Sequence, residues 1–158
     1  MSMRKAQFYY VEFMVTLTLF IFVLAIFANA FADISQSRGY DDISLQADSI
    51  SGQLMSEGSP KNWTQANVQK IGITSGQGRI DEQKLLKFAN MSYAGTKEKF
   101  NLNYDYYVFL ENSTGSRIPV AGKQGIGLLS NSSKTLVKVV RFPIYKSDIV
   151  RMIVYVWQ

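Results

Sequence analysis

The hydrophobic and polar positions divide the chain into an apolar N-terminal part and a mixed remainder. From Phe13 to Ala32 the chain runs for 20 residues without a charge, a glycine or a proline. As a helix that rises about 1.5 Å per residue, this run covers about 30 Å, the thickness of the hydrocarbon core of a bilayer. We therefore predict a transmembrane or assembly helix over residues 7–32.

Beyond this run the hydrophobic spacing becomes that of an amphipathic helix. Four apolar residues recur at intervals of four, three and four, which is the spacing of one helical face: Ile43, Ala47, Ile50 and Leu54. Gly58 and Pro60 then end the pattern. We predict one unbroken spine helix from about Phe8 to about Met55, with residues 33–57 as its extracellular continuation.

Residues 58–158 are expected to form an α+β head domain. Asp81 precedes "EQKLLKF", which predicts a short capped helix, "YAGTKEKFN" predicts a further helical turn or two, and "VQKIGI" predicts a short strand. From Tyr104 the pattern changes to period two, with "YDYYVFL" and "RIPV" on either side of a turn. A final hairpin is predicted from "LVKVVRFPIY" and "IVRMIVYVW", after a Gly/Ser-rich loop. The expected fold is α+β, a long N-terminal membrane and spine helix packed on a C-terminal antiparallel β-sheet head.

The composition argues against catalysis. The chain has no histidine and no cysteine, so it lacks the commonest general base, the commonest metal ligand and any thiolate nucleophile. It also has no phosphate-binding glycine motif and no calcium-loop spacing. We expect no enzyme activity, no catalytic residues, no metal site and no cofactor.

A single carboxylate, Glu12, stands at the start of the apolar region, and three interpretations compete there. A secretory signal would end near Ala28-Asn29-Ala30, which has the small-x-small form of a peptidase site, but the apolar stretch is long for such a signal. A plain uncleaved anchor leaves Glu12 without a purpose, unless it reaches the headgroups from near the helix start. The third interpretation gives Glu12 a function.

The residues around Glu12 resemble the N-terminus of type IV prepilins. The basic pair Arg4-Lys5, followed by "KAQ" and "FYYVEF", is most similar to the archaeal class III signal peptide of that family. The resemblance implies a leader of residues 1–6, cleavage between Ala6 and Gln7 by a prepilin peptidase, and a retained apolar helix. Glu12 would then be the sixth mature residue, one later than is usual in the family. A cut after Gln7 would restore the fifth position, although glutamine is a poor match for the small residue expected there.

The resemblance implies a pilin-like structural subunit, possibly a minor one, that assembles into an envelope filament with copies of itself or with other pilin-like subunits. Glu12 would be the assembly residue, because it neutralises the new α-amino group of a neighbouring helix. The head, from "SEGSPKNWT" to "IVRMIVYVW", is also similar to ectodomains of small archaeal pilin-like proteins. Arg4 and Lys5 predict a single-pass membrane protein with a cytoplasmic N-terminus and an extracellular head. The alternative is a membrane-anchored or secreted binding ectodomain that does not polymerise.

Four Asn-x-Ser/Thr sequons lie after the apolar run, at Asn62, Asn90, Asn112 and Asn131. About one is expected by chance from the content of Asn, Ser and Thr, so the sequence predicts candidate N-glycosylation sites on an extracellular head. The same residue types also concentrate in turns, which accounts for part of the excess.

The net charge of +5 is unevenly distributed. Residues 33–60 carry one base and five acids (1 − 5 = −4), whereas residues 117–158 carry seven bases and one acid (7 − 1 = +6). These regions would attract each other between neighbouring subunits. A basic sheet that binds a polyanion such as DNA is the weaker interpretation, because strands commonly carry lysine on solvated faces. We expect no nucleic-acid partner.

Overall fold

The computed structural model describes the backbone of residues 3–129 and 135–158, and the side chains of residues 9–29, 39–129 and 135–158. The chain forms two compact units, residues 1–40 and residues 41–158. Apart from the first part of its long helix, every helix and strand described below lies in the second unit.

Helix α1 runs from Met3 to Leu54 and includes residues of both units. It agrees with the predicted spine helix at its C-terminal end and begins five residues earlier than expected, since residues 3–8 contain neither glycine nor proline to stop it. The four residues of the predicted apolar face have at most 1% of their surface exposed: Ile43, Ala47, Ile50 and Leu54. The end of α1 is therefore the centre of the core of the second unit.

Two short helices follow. Helix α2 spans Glu82–Ala89, and its N-cap Asp81 accepts hydrogen bonds from the backbone N–H groups of Gln83 and Lys84, as the sequence predicts. Helix α3 spans Tyr93–Phe100 and ends at Asn101 in the left-handed conformation. Between α1 and α2, the stretch predicted as a strand over Val68–Ile73 contributes only an isolated bridge between Ser59 and Lys70, so that prediction was wrong.

The main sheet is antiparallel and five-stranded. Its strands are β1 (Asp105–Glu111), β2 (Arg117–Ile118), β3 (Ile126–Gly127), β4 (Leu136–Arg141) and β7 (Arg151–Trp157). The order is β2-β1-β7-β4. Strand β3 pairs with Tyr107 and Val108 of β1, on the same edge of β1 that β2 occupies further along the strand. Strand β3 falls within the stretch predicted to be loop. A separate small hairpin pairs β5 (Ile144–Tyr145) with β6 (Asp148–Ile149), directly after Pro143 has ended β4.

Both faces of the sheet are covered. The inner face packs on α1 through alternate residues of the long strands, among them Tyr106, Val108, Met152 and Val154. The outer face carries a second, smaller hydrophobic cluster: Tyr107, Phe109, Ile153 and Trp157. The Arg117 guanidinium lies 4.4 Å from the centre of the Phe109 ring and 5.9 Å from that of Tyr107. The outer face thus combines a small buried cluster, which the sequence did not predict, with exposed basic side chains such as Arg117 and Lys138.

Candidate membrane and assembly segment

The first part of α1 is a fully exposed apolar helix. Residues Tyr9–Asn29 form a 21-residue segment with a mean hydropathy of 2.5, long and apolar enough to cross a membrane. None of it is buried within the chain, and Phe13, Phe22 and Phe27 each have more than 60% of their surface exposed. An apolar surface of this size is rare on a soluble monomer, so the segment is a candidate for contact with lipid or with other helices.

The two threonine hydroxyl groups in this segment form hydrogen bonds within the helix itself. Thr16 Oγ1 donates to the carbonyl oxygen of Glu12 at 2.9 Å, and Thr18 Oγ1 donates to the carbonyl oxygen of Met14 at 2.8 Å. These hydrogen bonds lower the cost of placing the two hydroxyl groups in hydrocarbon. Glu12 is therefore the one charged side chain in the segment without such a solution.

Glu12 lies on the exposed surface of α1, one turn before Thr16 and two turns before Leu19 on the same face. Residues 9–29 contain no lysine or arginine, so this stretch offers its carboxylate no cation. A carboxylate within a membrane segment is costly and normally pairs with an opposite charge. The arrangement suits a carboxylate whose partner comes from outside the segment.

The predicted cleavage residues precede this carboxylate. The backbone at Ala6 and Gln7 is helical and belongs to α1, while their side chains lie outside the described ones. A peptidase that cuts between them must therefore unwind about one turn at the very start of the helix.

The sequons lie at the surface of the second unit. Asn62 and Asn90 are exposed, and Asn112 is half-buried in the turn between β1 and β2. Asn131 lies outside the described residues. Three of the four predicted asparagines therefore lie in separate surface segments of the second unit.

The acidic part of α1 already has partners within the head. Asp48 forms an ion pair with Arg141 of β4, whose Nε also donates to Ser51 Oγ at 3.1 Å. Asp42 accepts a hydrogen bond of 2.8 Å from the Tyr104 hydroxyl. Part of the predicted attraction between the acidic and basic regions is thus used inside one chain, which leaves less of it for contacts between subunits.

A cluster of titratable groups joins α3 to the start of β1. Asp105 Oδ1 accepts hydrogen bonds from Lys97 Nζ and from the Tyr93 hydroxyl, both at 2.7 Å. These two donors, Lys97 first, hold the pKa of the Asp105 carboxyl below its usual value, while burial and the same carboxylate raise the pKa of Tyr93. The groups stabilise one another in their ordinary protonation states, as in a structural ion pair. In the part of the chain that the structure describes, no three acidic residues group as metal ligands would.

Tyr106 should make the head sensitive to alkaline pH. Its side chain is fully buried, it forms a hydrogen bond with the Thr96 hydroxyl, and burial raises its pKa to about 12 from a usual value near 10. A raised pKa contributes stability that is complete below pH 10 and is lost between pH 10 and 12. The free energy of unfolding should therefore fall by about 2 kcal/mol by pH 11.5 through this group.

Urea unfolding at pH 9 and pH 11.5, followed by tryptophan fluorescence, measures that fall. The control is Tyr106→Phe, which removes the titrating group and leaves the ring in place, so its free energy should fall by about 2 kcal/mol less than that of the wild type. Equal falls in both proteins would contradict the assignment.

Sequence reasoning missed one buried cation, Lys84. It is 7% exposed, and its Nζ donates to the carbonyl oxygens of Glu57 at 2.8 Å and Thr74 at 2.9 Å. The helical spacing could have predicted this burial, because residue 84 lies on the same face of α2 as Leu85 and Phe88. Lys84 fixes the segment between α1 and α2 and takes no part in the apolar segment.

No protein-family model matches this chain, and neither does any curated protein or solved structure. The function is therefore inferred from the sequence and the geometry of the chain itself.

Proposed function

We propose that the protein is a type IV pilin-like structural subunit of an envelope filament or assembly, anchored and assembled through the first part of α1. The observation that carries the proposal is the exposed segment Tyr9–Asn29 with one carboxylate, Glu12, near its start. Lipid alone would accommodate the apolar surface but would leave the carboxylate unpaired. A bundle of such helices accommodates both.

The partner of Glu12 in this proposal is the α-amino group of a neighbouring subunit. Cleavage between Ala6 and Gln7 creates a positive charge at the start of the mature helix, about 7.5 Å before Glu12 along the helix axis, so a neighbouring helix displaced by about that length brings the two charges together. Two unit charges about 4 Å apart attract by about 4 kcal/mol at an effective dielectric constant of about 20. Membrane insertion would thus precede assembly, and cleavage would supply the charge that Glu12 requires.

In this proposal the N-terminus is cytoplasmic and the head lies outside the cell, with the membrane, a prepilin peptidase and other pilin-like subunits as partners. The similarity of the leader to class III signal peptides favours an archaeal envelope. The head takes a structural role and no catalytic one, consistent with the use of its titratable groups in internal ion pairs and hydrogen bonds.

The second candidate is an ectodomain that is anchored or secreted and never polymerises. The specific observation in its favour is that residues 41–158 contain a complete core, with both faces of the sheet covered. Such a head needs no neighbouring subunit to fold. The two candidates differ in how the N-terminus is processed.

The mature N-terminus of the protein purified from its native host distinguishes them, by intact mass and N-terminal sequencing. We expect a start at Gln7, or at Phe8 if the cut is one residue later. A start at Phe31 or Asp33 would mean a secreted domain and would remove the pilin-like proposal. An uncut N-terminus would leave a plain anchor.

A further inference from the structure

A groove lies beside one of the sequons. It has a volume of about 610 Å³ and is formed by the turn that follows β1, the end of β2 and the hairpin of β5 and β6. Its lining is apolar at Ile118, Pro119 and Ile149, aromatic at Tyr145, and polar at Ser113 and Asp148. Ile149 has 66% of its surface exposed, unusual for an isoleucine.

The carboxamide of Asn112 is held in one orientation at the edge of this groove. Asn112 Oδ1 accepts hydrogen bonds from Thr114 N at 3.1 Å, Thr114 Oγ1 at 2.7 Å and Ser116 N at 2.8 Å. Backbone N–H groups only donate, so the atom they contact must be the oxygen. The amide nitrogen Nδ2 is therefore the end of the side chain available for a new bond.

Among the three sequons that the structure describes, the one at Asn112 is also the most easily presented by the folded head. Ser113 and Thr114 are exposed, and the sequon lies in a turn between two strands. At Asn62 the middle residue is Trp63, which is fully buried and donates through Nε1 to Gly72 O at 2.9 Å. A transferase that draws this sequon into its site must remove a tryptophan from the core, which exposes a large apolar side chain and breaks its hydrogen bond.

The sequon at Asn90 is restricted in a different way. Asn90 is the C-cap of α2, and Ser92, whose hydroxyl completes the sequon, is the N-cap of α3. The Ser92 hydroxyl oxygen accepts a hydrogen bond from Gly95 N at 3.2 Å. Extension of this sequon would disturb the end of α2 and the start of α3, and both helices would lose stability.

We propose that Asn112 carries an N-linked oligosaccharide and that its first sugars lie in the groove over Tyr145 and Ile149. A pyranose has apolar C–H faces and hydroxyl edges, which match the apolar, aromatic and polar parts of the lining. The proposal rests on the proposed function, because it requires the head to lie outside the cytoplasm.

The modification joins Asn112 to a sugar supplied by a lipid-phosphate-linked oligosaccharide. A bond forms between Nδ2 and the anomeric carbon of the sugar, and the bond from that carbon to the phosphate oxygen breaks. The lipid phosphate leaves with the electron pair, and one amide proton passes to a base of the membrane transferase. No oxidant or reductant takes part.

Intact mass and glycopeptide mass spectrometry of the protein from its native host test the site. We expect the peptide that contains Asn112 to carry saccharide mass, and we expect this mass to disappear in Asn112→Gln and in Thr114→Ala. Asn62→Gln, Asn90→Gln and Asn131→Gln are the matched controls and should leave it unchanged. An unmodified Asn112, with saccharide at another asparagine or at none, would overturn the proposal.

The same intact mass reads the mature N-terminus, so the two proposals can fail separately. A start at Gln7 or Phe8 without saccharide on Asn112 would overturn the glycan alone. Saccharide on Asn112 with a start at Phe31 would overturn the pilin-like subunit alone.

Amide hydrogen exchange tests where the sugars lie. In the glycosylated protein the amides of residues 145–149 should exchange at least about threefold more slowly than in Asn112→Gln, since the sugars exclude water from the hairpin. The control region is α3, whose exchange should be equal in both proteins. Equal exchange in residues 145–149 would overturn the placement of the sugars in the groove.

Discussion

Replacement of Glu12 by alanine is expected to preserve membrane insertion and to weaken strongly the association between the α1 helices of different subunits. Removal of a charge from an apolar helix makes insertion easier, so the amount in the membrane fraction should not fall. Association should weaken because the α-amino group of the neighbouring helix loses its counter-charge. If only half of an attraction of about 4 kcal/mol is lost, the association constant falls about thirtyfold.

The absence of cysteine from the chain makes this association measurable in native membranes. Two cysteines, placed by Met14→Cys and Leu19→Cys in one chain, are five residues apart, which is the offset between neighbouring helices when Glu12 pairs with the α-amino group of Gln7. They should form disulfide-linked dimers only where two such helices pack. We expect abundant dimers with Glu12 present and at least about tenfold fewer after Glu12→Ala. Glu12→Asp should retain dimers, whereas Glu12→Gln, which keeps the shape and removes the charge, should lose them.

The charge pair itself is tested by a second change at the cleavage site. An Ala6 variant that blocks cleavage removes the new α-amino group and should lower dimer formation to the level of Glu12→Gln. The two changes together should have no larger effect than either alone, because each removes one partner of the same pair. Full dimer formation by Glu12→Ala, or additive losses in the double variant, would contradict the assembly role of Glu12.

The strongest periodic patterns in the sequence predicted the elements that carry this argument. The apolar face from Ile43 to Leu54 gave the end of α1, Asp81 gave the start of α2, and the alternation in residues 136–157 gave the pair of β4 and β7. These predictions depend on local order alone, since a capping residue or a hydrophobic period acts within a few residues of itself.

What the sequence did not predict depends on contacts between distant segments. Strand β3 has only two residues, and it exists because Ile126 and Gly127 meet Tyr107 and Val108 of β1. The outer cluster likewise has the pattern of an exposed strand face, and its contact between Phe109 and Arg117 joins two different strands. A period of two shows which residues share a face and gives no information on what covers that face.

The features of the candidate sites were likewise predictable from the sequence only where they are local. The apolar segment Tyr9–Asn29 and the position of Glu12 within it are local features that the sequence contains in full. The difference between Asn112 and Asn62 is not local, because it depends on the burial of Trp63 against residues that follow it by about ten positions. Both sequons have the form Asn-x-Thr and differ in the middle residue, and only the fold shows that Trp63 is buried whereas Ser113 is exposed.

A large loss of stability from a single methyl group is expected at Gly72. A Cβ atom at this buried position would lie 2.2 Å from Gly58 N and 2.3 Å from Ser56 O. Both are backbone atoms, so no side-chain rotation can relieve the clash, and the segment after α1 would have to separate from residues 71–73. We therefore expect Gly72→Ala to lower the free energy of unfolding by at least about 3 kcal/mol.

The separation would also disturb Trp63, whose indole N–H donates to Gly72 O. Because both tryptophans, Trp63 and Trp157, lie in the second unit and are buried, tryptophan fluorescence of the full chain in detergent reports the unfolding of the head. The midpoint of thermal unfolding should fall by about 10 °C or more. Emission in the folded state should shift to longer wavelength if Trp63 gains contact with water.

Gly52→Ala is the matched control, since it adds the same methyl group to the same chain. Gly52 lies on the exposed side of α1, and a Cβ atom there meets nothing within 4 Å. Alanine favours the helix over glycine by about 1 kcal/mol, so this variant should be slightly more stable than the wild type. The opposite signs of the two changes follow from the backbone clash at Gly72 and from the helix propensity of alanine at the open position of Gly52. A wild-type midpoint for Gly72→Ala would mean that the backbone at Gly58 and Gly72 is not in close contact.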